Sequence, residues 1–233
     1  MVDLTPEMAQ LWGSLDASPP GHARVIQFAA ARTGEGTSTV AREFARFASH
    51  RVQKAVWLVD LDLLNAPQHK AIAEDVARYG VMGHQCAASP DGSAFFTVQP
   101  PTRGPDGRPW PDARYLVAHA VGGSHLWVTR FRREIMQADQ RVSVLPTGDY
   151  WRALRRHAEI VVIDAPAADR SAAAVAVAPF ADFTVLVVAA DEGDATGPAR
   201  LKDSIQATGG RCAGLVFNRA PAEPPGFLKA ILR

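Results

Sequence analysis

The sequence predicts an α/β protein whose sheet is mostly parallel and is flanked by helices on both faces. Apolar runs recur along the chain and are continuous rather than alternating, which is typical of strands buried on both faces. Helical patterns separate these runs, and strand–helix alternation favours a parallel sheet. A chain of 233 residues suits one large domain. We therefore expect residues 1–233 to form a single domain, with two small domains as the alternative.

The composition excludes several classes of protein. Apolar residues make up 47% and charged residues 21%, as in globular proteins. A formal charge of +1 argues against a nucleic-acid binder driven by bulk electrostatics. Two cysteines cannot form a disulfide framework, which favours a reduced, cytoplasmic setting. The N-terminus lacks the pattern of a signal peptide, and no stretch reaches the roughly 18 uncharged apolar residues of a membrane span.

The individual elements follow from apolar runs, helical spacing and glycine or proline breaks. In the first half of the chain we predict, in order, a strand, a helix, a strand and a helix: Val25–Ala31, Ser38–His50, Ala55–Asp62 and Ala66–Gly80. In the second half we predict a strand, a short helix, two strands, a helix and a strand: Arg141–Pro146, Trp151–Ala158, Glu159–Pro166, Asp182–Ala190, Gly197–Gly210 and Cys212–Arg219.

Four segments stand apart from this alternation. Residues 1–22 are predicted as an N-terminal helix or arm. Residues 84–112 are rich in proline and glycine, which indicates a surface insertion or a partly disordered loop. Residues 114–135 are predicted to contribute a hairpin and a helix. Residues 220–233 form a proline-rich tail with a small apolar end, interpreted as a docking helix.

The turn between the first strand and its helix is predicted to bind phosphate. Glycines permit the turn, and backbone N–H groups at a helix N-terminus can surround phosphate oxygens. The predicted ligand-binding residues are consecutive: Gly34, Glu35, Gly36, Thr37, Ser38 and Thr39. Ser38 occupies the place of the hydroxyl that binds Mg²⁺, and Thr37 occupies the place of the loop's lysine. Arg32 is close enough in sequence to substitute for that lysine, and the sequence does not show where its side chain points. A lost charge-assisted hydrogen bond, about 1.5–3 kcal/mol, would lower nucleotide affinity roughly ten- to a hundredfold. The alternative is a glycine turn without a ligand.

Carboxylates and an amide follow three other strands. Asp60 and Asp62 come after the second predicted strand, Asp164 after a later one, and Asn218 ends the last. The carboxyl ends of parallel strands meet at one edge of a sheet, where ligands bind. Ser38, Asp60 and Asp164 are therefore the predicted magnesium ligands, and Asp60 and Asp62 are the catalytic candidates if the protein is active. Each carboxylate could instead be a helix cap or a loop residue.

Five motifs together resemble a known family. They are "GEGTST", "WLVDLDLLNAP", "VSVLPTG", "VVIDAP" and "GLVFNR". From Arg24 to Arg219, apart from the insertion, the chain resembles the cytoplasmic kinase domain of bacterial tyrosine kinases of capsule and exopolysaccharide export. These kinases belong to the deviant P-loop class that includes partition ATPases. The resemblance implies a P-loop NTPase-like fold, ATP or ADP with Mg²⁺ as cofactors, and Asn218 and Arg219 beside the nucleotide.

The chain also departs from the family's pattern. Thr37 replaces the lysine, and the sequence has only three tyrosines and none after Asp164, where the family carries a tyrosine cluster. Gln10 and Gly13 stand where the family's ring-forming arginines would be, so the family's ring is not expected. The basic residues after the Asp-x-Asp pair are replaced by Leu63, Leu64 and Asn65.

These departures favour a catalytically weak or inactive regulator of polysaccharide biosynthesis and export. The resemblance implies a partner, the cytoplasmic segment of a membrane chain-length or co-polymerase protein, which would place the chain peripherally at the inner membrane. Two alternatives stay open: an active partition-type ATPase that cycles between monomer and ATP-bound dimer, and an interaction scaffold without a ligand.

Overall fold

A computed structural model describes residues 4–15, 23–191 and 195–220, and it confirms the predicted α/β fold class. Its main sheet has eight strands in the order β10-β9-β1-β8-β2-β6-β5-β3. The strands from β10 to β6 run parallel, whereas β5 and β3 are antiparallel to their neighbours. These eight strands are β1 Arg24–Ala29, β2 Ala55–Asp60, β3 Met82–Ala87, β5 Leu116–Val121, β6 Leu126–Phe131, β8 Ala158–Asp164, β9 Phe183–Ala189 and β10 Cys212–Asn218. A separate antiparallel pair consists of β4 Phe96–Gln99 and β7 Arg141–Val144.

Helices cover both faces of the main sheet. The α-helices are α1 Thr5–Leu15, α2 Thr37–Ser49, α3 Pro67–Glu74, α4 Val76–Tyr79, α5 Asp149–Arg155, α6 Ala173–Val177 and α7 Thr196–Ala207. Side chains of α1, α2 and α3 pack on one face, and those of α5, α6 and α7 on the other. Alternate residues of the central strands supply the two cores, since successive side chains point to opposite faces. Thus Ile26 and Val162 join the α2 core, whereas Val25 and Val161 join the α5 core.

The helix predicted over Ala66–Gly80 is two helices with a break at Asp75. The Asp75 carboxylate accepts a hydrogen bond from the Arg78 backbone N–H and caps the second helix. A buried carboxylate on α2, Glu43, then fixes α4. Arg78 Nη2 lies 2.7 Å from Glu43 Oε2, and the Tyr79 hydroxyl lies 2.6 Å from Glu43 Oε1. These contacts hold the broken helix against α2.

Residues 84–112 are more ordered than their composition indicates. They include most of β3 and all of β4, and a 3₁₀ helix, Asp112–Tyr115, follows. The predicted strand Arg141–Pro146 is β7, which pairs with β4 outside the main sheet. The predicted hairpin is β5–β6, and β6 takes the place beside β2. The insertion and hairpin thus extend the sheet on the side of β2.

The other edge of the sheet carries exposed apolar side chains. Leu215 and Phe217 on β10 are 50% and 61% exposed, beside an apolar groove of about 750 Å³ between β9, β10 and α7. Of the predicted docking tail, residues 221–233 lie outside the described residues. No helix in the described ranges is long and apolar enough to cross a membrane.

Candidate nucleotide site

The topology brings three strand ends together. Strand β8 lies between β1 and β2, and in the register Asp164 is opposite both Phe28 of β1 and Asp60 of β2. The loop that follows β1 therefore starts beside Asp164. This is the arrangement expected when parallel strands deliver polar residues to one edge.

The glycine turn forms a loop that leads directly into α2. Gly34 and Gly36 have φ values of 94° and 88°, in the left-handed region that favours glycine. The Gly36 carbonyl accepts the N–H groups of Thr39 and Val40, which starts the helix. Above the turn is a pocket of about 400 Å³. Its lining includes all six predicted loop residues, 34–39, together with Asp62 and Asp164.

The Glu35 carboxylate is used inside the loop. This side chain is only 3% exposed, and its Oε2 accepts the Arg32 backbone N–H at 2.8 Å. Its Oε1 accepts the Ala189 backbone N–H at 3.4 Å. Glu35 therefore ties the loop to the end of β9, and both of its carboxylate oxygens are engaged by backbone N–H groups.

The end of β10 clamps the loop from outside. Asn218 Nδ2 donates to the Glu35 carbonyl at 3.0 Å, and Arg219 Nη2 donates to the Gly34 carbonyl. A Cβ atom at Gly36 would overlap Asn218 Nδ2, so the amide lies directly against the glycine. Asn218 and Arg219 thus contact the loop backbone, and neither is among the residues that line the 400 Å³ pocket.

Behind the pocket, one glutamine joins the two strand-end carboxylates. The Gln68 backbone N–H donates to Asp60 Oδ2 at 3.0 Å, and Gln68 Nε2 donates to Asp164 Oδ2 at 2.6 Å. The same Nε2 donates to the Ser38 carbonyl at 2.8 Å, and Gln68 Oε1 accepts from Arg42. Gln68, Asp60 and Asp164 are 0%, 3% and 2% exposed. The amide therefore links α2, α3 and β8 in a buried polar network.

Burial sets the protonation of this carboxylate pair. It raises the pKa of Asp164 to about 6, although the hydrogen bond from Gln68 lowers it in part. Burial, together with the charge of Asp164, raises the pKa of Asp60 well above its ordinary value. The two groups interact strongly and titrate as a pair. Such a pair gains stability when a cation or a proton neutralises it.

The pocket fits the magnesium ion that the resemblance implies. Asp164 Oδ1 is buried and has no partner of normal hydrogen-bond geometry among the described residues, although the Ser38 hydroxyl is close enough to lower the pKa of this carboxyl. A buried carboxylate oxygen is rarely left unpaired without a reason, and carboxylate and hydroxyl oxygens are what Mg²⁺ prefers. Asp164 and Ser38 line the pocket, whereas Asp60 does not. Asp60 instead accepts the backbone N–H groups of Asp62 and Gln68.

The segment after β8 forms the opposite wall of the pocket. Asp169 accepts the Thr33 backbone N–H and hydroxyl, each at 2.9 Å. Arg170 Nη2 lies 3.0 Å from Asp62 Oδ2, and both residues line the pocket. The sequence does not predict a role for Gln68, Asp169 or Arg170, because nothing in their spacing links them to the loop.

The three tyrosines of the sequence are all buried. Tyr79, Tyr115 and Tyr150 are 8%, 1% and 0% exposed. Tyr79 donates to Glu43, and the Tyr150 hydroxyl donates to the Ala88 carbonyl. Burial raises the pKa of Tyr150 well above its ordinary value. None of these hydroxyls is accessible to a kinase in the folded protein.

Comparison with solved structures shows the fold of bacterial tyrosine kinase domains. The chimerical protein CapA2B2 is 17% identical with a TM-score of 0.62, over 94% of this chain and 86% of that one. The VpsO kinase domain is 17% identical with a TM-score of 0.56, over 93% of each chain. The BceF tyrosine kinase domain is 19% identical with a TM-score of 0.57, over 94% of this chain and 76% of that one. No protein-family model and no curated protein matched the sequence.

Proposed function

We propose that this chain is a kinase-like P-loop protein that binds ATP or ADP with Mg²⁺ and acts as a regulator with little or no phosphotransfer activity. One observation carries the proposal: the loop and Asp164, whose buried Oδ1 is unpaired, line one pocket, while Thr37 occupies the lysine position. The cradle for phosphates is built from backbone and does not need the lysine to form. Phosphoryl transfer does need charge neutralised in its transition state, and Thr37 supplies none.

Each part of the pocket has a distinct role in this proposal. The N–H groups of residues 34–39 and the N-terminus of α2 bind phosphate oxygens. Ser38 and Asp164 hold Mg²⁺, which neutralises phosphate charge when it is bound. Gln68 positions the Asp164 carboxylate by hydrogen bonding to its other oxygen. The buried tyrosines further support a regulator that does not phosphorylate itself.

The cellular role that we propose is based on the resemblance to kinases of polysaccharide export. We place the protein in exopolysaccharide or capsular polysaccharide biosynthesis and export, with the cytoplasmic segment of a membrane chain-length or co-polymerase protein as partner. Through that partner it would lie peripherally at the inner membrane. Co-purification of the protein with such a segment tests this part. A partner that binds equally well after the loop is disrupted would argue against nucleotide control.

Calorimetric titration of ATP and ADP, with and without Mg²⁺, tests nucleotide binding. Wild type should bind in the micromolar to sub-millimolar range, and Asp164→Ala should weaken only the Mg²⁺-dependent part. Thr37→Lys should raise ATP affinity by at most about a hundredfold, because it adds one charge-assisted hydrogen bond, and by less where another cation already contacts the outer phosphates. Absence of heat in both wild type and Thr37→Lys would refute nucleotide binding and favour the scaffold alternative. Phosphate transfer by wild type at rates typical of kinases, about 1–100 s⁻¹, would refute the regulatory part.

The second candidate, a partition-type ATPase, is favoured by the carboxylates Asp60, Asp62 and Asp164 at adjoining strand ends. It predicts dimerisation that depends on ATP, whereas the regulator proposal predicts none. Light scattering with and without ATP and Mg²⁺ distinguishes the two. A mass that doubles only with ATP would replace the first proposal by the second.

A further inference from the structure

Arg170 is held in a fixed place beside the glycine loop by the backbone around it. The segment after β8 runs along the end of β1, with Ala168 N–H bonded to the Ala30 carbonyl at 2.9 Å and Asp169 N–H to the Ala31 carbonyl at 3.2 Å. The Asp169 carboxylate accepts two further hydrogen bonds from Thr33. None of these contacts uses the Arg170 side chain. The loop and Arg170 are therefore positioned together, and replacing this side chain leaves their attachment intact.

The Arg170 side chain forms only a weak ion pair with Asp62. One Nη2–Oδ2 contact of 3.0 Å joins it to Asp62, and the Arg170 side chain is 46% exposed. A guanidinium has five N–H donors in a planar fork, and over the described part of the chain Asp62 is its one side-chain hydrogen-bond partner. The Asp62 side chain is 16% exposed and keeps a second hydrogen bond, from Asn65 Nδ2 at 2.8 Å, when the arginine leaves. A single ion contact that is open to solvent on the arginine side contributes little stability. The guanidinium can thus exchange Asp62 for a better acceptor at small cost.

The position of this ion pair is as informative as its strength. Arg170 and Asp62 line both the 400 Å³ pocket over the loop and a neighbouring pocket of about 450 Å³. Arg32, on the loop itself, also lines the 400 Å³ pocket. Two other arginines are engaged elsewhere: Arg42 donates to Gln68 and Tyr79, and Arg219 is bonded to the Gly34 carbonyl outside the pocket. Thr37 puts no charge into the pocket. Arg170 is therefore a cation at the pocket wall that is not committed to a buried acceptor.

We propose that Arg170 supplies the positive charge to the outer phosphates of the nucleotide that Thr37 does not supply. On binding, the guanidinium leaves Asp62 and pairs with phosphate oxygens, for which its fork geometry is well suited. Asp62 then acts as the resting acceptor that keeps Arg170 at the pocket. The inference rests on the proposed function, since it requires that nucleotide binds above the loop.

Calorimetry of ATP binding to Arg170 variants tests this role. Arg170→Gln should lower ATP affinity at least about tenfold, the loss expected for one charge-assisted hydrogen bond. Arg170→Lys should recover part of the loss, because it keeps the charge but not the fork geometry. Asp62→Asn should raise affinity for ATP without Mg²⁺ in the wild-type background and raise it less in the Arg170→Gln background. Such non-additivity is expected only if the two side chains act together.

A matched pair of controls is available on the surface. Arg156 and Asp91 form an exposed ion pair with a 3.2 Å contact and do not line the pocket. Arg156→Gln and Asp91→Asn should leave ATP affinity within about twofold of wild type, since distant sites act independently. Thermal melts of every variant check that each is folded.

The outcomes separate this inference from the proposed function. If neither wild type nor Thr37→Lys binds ATP, the proposed function fails and the inference fails with it. If Thr37→Lys binds but wild type does not, Arg170 is no substitute for the lysine. If wild type binds and Arg170→Gln binds as tightly as Arg156→Gln, the inference alone is overturned.

Discussion

Replacing Asp164 by asparagine should stabilise the nucleotide-free protein at neutral to alkaline pH. Burial raises the pKa of Asp164 from 3.8 to about 6, so the folded state holds its ionised form unfavourably. This rise corresponds to about 3 kcal/mol against the folded state above pH 6. Asparagine removes the charge but leaves a buried N–H donor unpaired, and this unpaired donor lowers the free energy of unfolding by about 1–2 kcal/mol. We therefore expect a net gain of about 1–2 kcal/mol in the free energy of unfolding.

The pH dependence gives the sign of this effect independently. A carboxyl whose folded pKa is raised takes up a proton on folding between its unfolded and folded pKa values. Its unfavourable contribution is absent below about pH 3.8, grows through pH 6 and is complete above it. The difference between Asp164→Asn and wild type should accordingly be largest near pH 8 and should shrink as the pH approaches 4. Urea unfolding across this range, without divalent cations, measures that difference.

Magnesium should narrow the difference in stability between the two proteins. An ion bound to Asp164 neutralises the charge and stabilises only the state that binds it. Millimolar Mg²⁺ should thus raise the stability of wild type near pH 8 and leave Asp164→Asn unchanged. Asp106→Asn, an exposed change far from the pocket, serves as control and should shift stability by less than about 0.5 kcal/mol at any pH. A variant that is less stable than wild type by the same amount at every pH would refute the electrostatic argument.

Three further substitutions test the packing around the site. Gly36→Ala should destabilise the fold by about 1–3 kcal/mol, because φ of residue 36 is 88° and the new methyl group would overlap the Asn218 side chain. In thermal melts, the double variant Gly36→Ala with Asn218→Ala should recover part of that loss. Glu43→Gln should lower the free energy of unfolding by about 3 kcal/mol, because the Arg78 guanidinium loses its buried, charged partner. The hydrogen bond from Arg78 lowers the pKa of Glu43 despite its burial, so the stability advantage of wild type over Glu43→Gln should disappear as the pH falls below 4.5. Urea unfolding at neutral and acid pH measures this difference. Phe95→Ala, in the fully buried aromatic cluster under α5, should cost about 3–5 kcal/mol by the same assay, and a loss below 1 kcal/mol would mean that this core relaxes around the cavity.

The sequence predicted the structure best for elements whose own residues determine both their secondary structure and their place in the sheet. The apolar run before the glycine turn and the helical spacing after it predicted β1 and α2 within a residue or two. Each element there is fixed by its own composition. The same holds for Asp164, because a buried parallel strand delivers its last residue to the sheet edge regardless of its neighbours.

Long-range pairing is what sequence reasoning could not supply. The run Arg141–Pro146 reads as a strand, but its composition does not show that its partner is β4 rather than the main sheet. Gln68 follows a proline in an ordinary helix, and only the folded structure places its amide between two carboxylates. Asn218 was correctly placed at the strand end, yet its donor bond to the Glu35 carbonyl depends on a loop 183 residues away. Side-chain partners of this kind are set by packing and not by spacing.

The loop's shape is maintained by contacts that do not involve Thr37. Glu35, Asn218, Arg219 and Asp169 hold it from β9, β10 and the segment after β8. Under the proposed function, a threonine at position 37 would lower phosphotransfer without removing the cradle. For this reason folding and ligand binding should be separable in this protein. Thr37→Lys should change nucleotide affinity and leave these contacts in place, but because Thr37 is only 7% exposed, it should lower stability when no phosphate pairs with the ammonium. Breaking the Asn218 clamp should loosen the cradle even when no nucleotide is present.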